Sequence, residues 1–217
     1  KEIPMKNPKL RILNYVIPLI TLLVSIVCYF RLPDQITLSW DLNGAASYEA
    51  KWHLFLMSGM GLVIAILFDI LPHVDPRKKN YSKFEHFYDQ FCIFMQLFLF
   101  GMTAVTLVEN FRPGTVNIPL VITIAIGILF LFIGNELPKV KSNFFMGIRT
   151  PWALCSEENW RRTHRLGGKC FFTAGIILIL AAFLPSQKLV FGIMFVLIMV
   201  ASLVPTLMSY LWYRKGI

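Results

Sequence analysis

The sequence predicts an all-α integral membrane protein. It reads as a six-helix transmembrane bundle with both termini cytoplasmic, forming a single polytopic domain over residues 1–217. Three observations predict this. First, 56% of the residues are hydrophobic and only 15% are charged, with a mean hydropathy of +0.63. Soluble domains sit near ~45–50% apolar and ~25% charged. Second, the apolar residues gather into runs, and crossing a bilayer core takes about 20 mostly apolar residues. Third, Lys and Arg are distributed unevenly between alternate connections, and positively charged loops stay on the cytoplasmic side.

The runs cover 12–30, 53–71, 91–108, 118–133, 171–184 and 189–212. The fourth and fifth are short for a full crossing and borrow flanking residues or lie in a thinned bilayer. Only Pro185, Ser186, Gln187 and Lys188 separate the last two, which predicts an antiparallel helical hairpin. The first run follows KEIPMKNPKLR and has no small-residue cleavage site, so it is expected to remain as an anchor. Of the 21 Lys and Arg residues, only Arg31, Lys51, Arg112 and Lys188 fall on the outer side. The amino end, the 72–90 connection, the loop at 134–170 and the tail carry the rest. This placement explains the net charge of +9 through attraction to anionic inner-leaflet lipids, without a nucleic-acid partner. Membrane lipids are thus the first expected partner. The aromatic residues Tyr29, Trp52, Trp212 and Tyr213 mark the ends of spans, at headgroup level.

The outer loop at 31–52 reads RLPDQITLSWDLNGAASYEAKW. Leu32-Pro33-Asp34 favours a turn, Ile36 to Trp40 alternates as a short strand does, and Asn43-Gly44 is a strong turn signal. The loop is therefore a compact connection between two helices. It is also a candidate recognition surface bearing Trp40, Asp41, Asn43, Gly44 and Tyr48, because rigid loops with exposed aromatics commonly carry binding.

The loop at 134–170 is the densest polar stretch. Gly134 and Asn135 are expected to end the fourth span, and Pro138 blocks its continuation. Pro151 holds Thr150 extended. Ser156 offers a helix cap, with Glu157 and Glu158 in the first turn. That helix would carry Trp160 and His164 on one face, include Arg161, Arg162 and Arg165, and break at Gly167-Gly168. It is expected to lie on the inner membrane surface. Its simplest role is an anchor; its other role is a docking surface.

Polar residues within spans are few. Asp69, Gln96 and Glu136 are the intramembrane candidates, and the expected ionic partner for the acids is Arg149 or a neighbouring lysine. A structural ion pair is the simpler expectation, since a proton relay needs carboxylates deeper in the bilayer. Cys28, Cys92, Cys155 and Cys170 show no C-x-x-C spacing, so neither a disulfide framework nor a zinc site is implied. A lone His164 among arginines is a poor metal ligand. No H-E-x-x-H, P-loop or G-x-S-x-G motif is present, and neither metal nor cofactor is expected.

The stretch GNELPKVKSNFFMGIRTPWALCSEENWRRTHRLGG resembles the signature of the bacterial SdpI immunity family, G-N-x-x-P-K-x-K-x-N-x-x-G-I-R-T-P-W-T-L followed by W-x-x-T-H-R and a Gly. The residues that match it are Gly134, Asn135, Pro138, Lys139, Lys141, Asn143, Gly147, Ile148, Arg149, Thr150, Pro151, Trp152, Trp160, Thr163, His164, Arg165 and Gly168. The outer loop resembles the family's L-P-x-x-I-P-x-H-W-N-x-x-G region, with Thr37 and Ser39 in place of Pro and His, and Asp41 in place of Asn. Ser142 and Ala153 depart from the inner pattern.

The resemblance implies a non-enzymatic protein of the bacterial cytoplasmic membrane that protects against a secreted antimicrobial peptide toxin. It further implies signal transduction, through a transcriptional repressor held at the membrane. Under this reading the outer-loop residues meet the peptide. Asn135, Lys139, Asn143, Arg149, Thr150, Pro151, Trp152, Trp160, Arg161, Arg162, His164 and Arg165 are the candidates for docking the regulator. Two alternatives stand beside it. One is a small peptide or lipid transporter with a polar path through Gln96 and Asp69. The other is a membrane enzyme gathering Asp69, Glu136, Arg149 and His164 at the cytoplasmic face.

Overall fold

The computed structural model describes residues 7–40 and 46–217 and is mostly helical. Six helices among the described residues are long and apolar enough to cross a membrane. The chain divides into two compact units, Lys1–His73 with Tyr88–Ile118, and Val74–Phe87 with Pro119–Ile217.

The first unit holds α1 (Pro8–Tyr29), strands β1 (Gln35–Trp40) and β2 (Ala46–Ala50), and most of α2 (His53–Val74) and α3 (Glu85–Phe111). Asn7 caps α1 by accepting from the Lys9 amide at 3.0 Å, and Pro8 supplies a first helical position that needs no amide donor. The buried residues of α1 are Asn14, Pro18, Thr21 and Ser25, whereas Ile12, Leu23 and Val27 are exposed. A soluble helix does the reverse. When lipid is the solvent, apolar side chains face outward, and small or polar ones allow helices to approach and hydrogen-bond. Gln96 of α3 donates to Asn14 Oδ1 at 3.3 Å and to the Gly61 carbonyl at 3.1 Å, and Asn14 donates to the Ala65 carbonyl at 3.3 Å. Three helices are thereby tied at one buried point. Gly61 permits this approach, since a Cβ there would come within 2.9 Å of Pro18 Cβ.

The expected strand at Ile36–Trp40 is present as part of β1. Its antiparallel partner β2 was not apparent from the sequence, and the Asn43-Gly44 turn lies outside the described residues. Pairing runs Thr37 with Tyr48, Ser39 with Ser47 and Trp40 with Ala46, so Leu38 is an extra residue on β1. Such a bulge shifts the alternation by one, which puts Trp40 on the same face as Tyr48. Ile36 joins Leu32, Leu54 and Leu107 in a core beneath the hairpin, with Cys28 and Leu38 packed against it. Asn110 bonds both backbone groups of Thr37, accepting from its amide at 2.7 Å and donating to its carbonyl at 2.9 Å. A side-chain amide thus pairs with β1 as another strand would. Lys51 closes the base through an ion pair with Asp34 at 2.9 Å.

The second unit contains a 3₁₀ turn (Lys78–Lys83), α4 (Ile118–Glu136), a 3₁₀ turn (Leu137–Lys139), α5 (Pro151–Cys155), α6 (Glu157–Ala181) and α7 (Gln187–Arg214). Two expectations are corrected here. Gly134 and Asn135 do not end α4, which runs on to Glu136, and Gly167-Gly168 do not break α6, which is continuous from Glu157 to Ala181. There is accordingly no separate interfacial helix after Ser156; that segment is the first part of the fifth long helix. These glycines serve close packing. A Cβ on Gly134 would lie 2.3 Å from the Phe172 amide nitrogen, one on Gly168 would lie 2.8 Å from the Gly134 carbonyl, and one on Gly175 would lie 2.7 Å from the Gly127 carbonyl. Gly127 and Gly134 on α4 thus oppose Gly175 and Gly168 on α6, spaced so that two antiparallel backbones touch at successive levels. Ser156 caps α6 at the Asn159 amide, and Ser186 caps α7 at the Leu189 amide.

Candidate functional site

In the second unit the segment 137–156 is a folded cap built on α6. Asn143 is fully buried and organises its first turn. Its Oδ1 accepts from the Phe145 amide at 2.9 Å and the Met146 amide at 2.6 Å, and its Nδ2 donates to the carbonyls of Lys141 at 2.8 Å and Met146 at 3.2 Å. All the hydrogen-bonding capacity of one amide is thereby used. Gly147 follows with a φ of +95°, and a Cβ there would meet His164 Nε2 at 2.2 Å. Only glycine satisfies both conditions.

Trp160 and His164 lie on one face of α6, as their spacing predicts, stacked at 4.0 Å. That face points into the protein. Trp160 donates its indole N–H to the Val140 carbonyl at 2.9 Å. His164 Nε2 accepts from the Ile148 amide at 3.1 Å, and its Nδ1 is 2.8 Å from the Trp160 carbonyl. An amide can only donate and a carbonyl can only accept, so the ring is neutral with its proton on Nδ1. Nε2 holds the loop and Nδ1 bonds the backbone of α6 itself, so both ring nitrogens are engaged within the protein.

Thr150 is extended before Pro151, caps α5 at the Ala153 amide at 3.0 Å, and meets the Ser209 hydroxyl at 2.6 Å. Ser209 donates to Asn159 Oδ1 at 3.2 Å, Thr163 donates to the same oxygen at 3.1 Å, and Asn159 returns a bond to the Ser209 carbonyl at 2.9 Å. Trp152 packs on Tyr210 of α7, with ring centroids 4.9 Å apart. Loop, α6 and α7 are thus locked by a buried polar network.

The other side of the cap rests on residues that the sequence reading passed over. Asp75, almost fully buried, accepts from the Arg77 amide at 2.7 Å, the Tyr81 hydroxyl at 3.1 Å and the Phe144 amide at 2.9 Å. Burial, followed by the neighbouring Asp75 charge, pushes the Tyr81 phenol well above its ordinary range, so it remains a proton donor. Arg77 donates to the Ser142 hydroxyl and, at 2.9 Å, to the Leu154 carbonyl, and its guanidinium lies 5.2 Å from the centroid of the Phe144 ring. Asn80 donates to the Ser142 carbonyl at 2.8 Å. The available signal was Asp75-Pro76-Arg77, a single acid opening a basic connection. Asn159 and Thr163 were legible as neighbours of Trp160 and His164 on one helix face, whereas Ser209 sits unmarked in an apolar run.

The remaining candidates separate. Arg149 is exposed and donates to the Phe144 carbonyl at 2.6 Å, so it is not the partner of the intramembrane acids. Asp69 instead accepts from Arg11 at 3.0 Å and Tyr15 at 2.8 Å, while Glu136 accepts from Lys139 at 2.6 Å and Asn135 at 2.8 Å. The expectation of a neighbouring lysine thus holds for Glu136, and Asp69 takes an arginine from α1. Arg161 and Arg162 both pair with Glu158 on the exposed face of α6, and Arg165 and Pro151 are also exposed. In the hairpin, Tyr48 is exposed and Trp40 half-buried; Asp41, Asn43 and Gly44 lie outside the described residues.

The SdpI/YfhL protein family model matches residues 139–209, from the cap through most of α7. Immunity protein SdpI of Bacillus subtilis (strain 168) is 27% identical over 208 residues, which span 95% of this chain and 97% of that protein. No solved structure matches. Both matches bear out the resemblance to the SdpI family. Together with the six apolar helices they identify a multi-pass protein of the bacterial cell membrane.

Proposed function

We propose that this chain, similar to the SdpI family, is a non-enzymatic immunity protein that protects a bacterium against a secreted, membrane-active peptide. The observation that carries this reading is the near end-to-end match to a protein named for immunity, with 95% and 97% of the two chains aligned. The asymmetry of Lys and Arg supports placing the cap on the cytoplasmic side and the hairpin outside. The shared face of Trp40 and Tyr48 is then the surface offered to the peptide. On the inner side, exposed Arg149, Arg161, Arg162 and Arg165 form a basic surface suited to an acidic face of a cytoplasmic regulator, and they support the signalling role.

The bonding of His164 and of the Gln96 amide nitrogen favours this over catalysis or transport. His164 has both ring nitrogens bonded within the protein, and Gln96 ties α1 and α2 together at a buried point. The test is survival of a sensitive bacterium expressing this chain, challenged with a panel of membrane-active peptides. Protection against at least one peptide, with the peptide's mass unchanged, is the expected result. Protection against none overturns the immunity reading, and a cleaved or modified peptide overturns the non-enzymatic part.

A further inference from the structure

A groove of about 390 Å³ runs along the first unit between α1 and α3. Thr21, Val24 and Cys28 form one wall, Ala104 and Leu107 stand on the other, and Arg112 lies at one end. The Thr21 and Thr103 hydroxyls are turned back onto the Ile17 and Leu99 carbonyls, each at 2.9 Å, so the groove presents an apolar lining despite its two threonines.

Arg112 follows directly on the last residue of α3, at the end of a helix long and apolar enough to span a membrane. Its guanidinium has no hydrogen-bond or ion-pair partner among the described residues. The adjacent carboxylate, Glu109, is directed to the amides of Gly114 at 2.7 Å and Val116 at 3.3 Å. An unpaired guanidinium at headgroup level beside an apolar slot is complementary to a phosphate joined to a hydrocarbon chain.

A single cation at the end of otherwise apolar walls matches one hydrocarbon chain carrying one anionic head. The geometry points to a binding site for a single anionic phospholipid of the phosphatidylglycerol class, its chain between α1 and α3 and its phosphate on Arg112. This site is independent of the immunity reading. It does reach the hairpin, because Cys28 and Leu107 also belong to the core that supports β1.

The test uses the full chain, purified from bilayer discs of equimolar phosphatidylglycerol and phosphatidylethanolamine, with retained lipid read by native mass spectrometry. Wild type is expected to keep one phosphatidylglycerol at about fivefold preference, the factor corresponding to ~1 kcal/mol of cation–phosphate attraction. Arg112→Gln is expected to bring the ratio to about one, and Lys188→Gln, remote from the groove in sequence and in the other unit, to leave it unchanged. Val24→Trp fills the groove from an exposed position and is expected to lose the retained lipid of either kind; Ala104→Leu repeats this from the opposite wall. Equal retention of both lipids by wild type overturns the site. So does a preference that survives Arg112→Gln, or lipid retained by folded Val24→Trp and Ala104→Leu at the wild-type level.

Discussion

Gly134→Ala and Gly168→Ala are expected to destabilise the protein severely, by about 3 kcal/mol or more each, although alanine is the better helix former. The Cβ added at Gly134 would fall 2.3 Å from the Phe172 amide nitrogen and 2.8 Å from the Gly168 carbonyl. Backbone atoms cannot rotate away as a side-chain tip does, so α4 and α6 must separate and lose dispersion contacts along their length. For a chain of this size such a loss lowers the melting temperature by about 6–12 °C. Gly101→Ala supplies the opposite sign. Nothing lies within 4 Å of a Cβ there, so only helix propensity changes, and a gain of about 0.5–1 kcal/mol is expected. Thermal unfolding of the three variants in one detergent checks both signs at once. Equal effects at all three positions would show that α4 and α6 do not meet at these glycines.

Asp75→Ala carries the second large effect. The substitution strips the acceptor from the Arg77 amide, the Tyr81 hydroxyl and the Phe144 amide. Each buried donor left unmade costs about 1–3 kcal/mol, and partial relaxation brings the expected total to about 3 kcal/mol or more. The loss is local. The segment around Ser142 and Phe144 detaches from the 3₁₀ turn at Lys78–Lys83, so the chain at the already exposed Lys141 and Arg149 becomes free to enter the trypsin active site. Limited proteolysis is therefore expected to cut the variant within 141–149 while the long helices stay intact. Asp75→Asn keeps one acceptor oxygen and should fall between wild type and Asp75→Ala. Trypsin resistance equal to wild type in Asp75→Ala would remove Asp75 from its role as anchor of the cap.

The six apolar helices were legible in the sequence as apolar runs, two of them short, because lipid demands length and hydropathy before any face-specific pattern. Their ends were not. Gly134 and Asn135 read as a stop signal, yet α4 runs on to Glu136, whose carboxylate accepts from Lys139 and Asn135. Gly167-Gly168 read as a break because glycine weakens helices in water; here Gly168 gives α4 its close approach, and Gly167 makes room for Ile148 and Leu137. The hairpin's second strand, ASYEA, is exposed throughout and has no buried face to produce alternation. In the cap, the motif pointed to the right residues but not to what they do. Asn143, Thr150, Trp160 and His164 are turned inward as bonds of the fold, which accounts for a dense polar loop in an apolar chain. Asp75 and Ser209 complete the same network from distant positions, and sequence proximity carries no sign of them.

Under the proposed immunity role, labour is divided: the hairpin face would meet the peptide while the cap holds the fold. This division is tested most directly by survival under peptide challenge in cells carrying Trp40→Ala, Tyr48→Ala or Asn143→Ala, each set against its amount of folded protein in the membrane. The two hairpin variants are expected to lose protection at wild-type abundance and melting temperature. Asn143→Ala should lose protection only in proportion to folded protein lost. Full protection by both hairpin variants, or an abundant and stable Asn143→Ala that fails to protect, would contradict it.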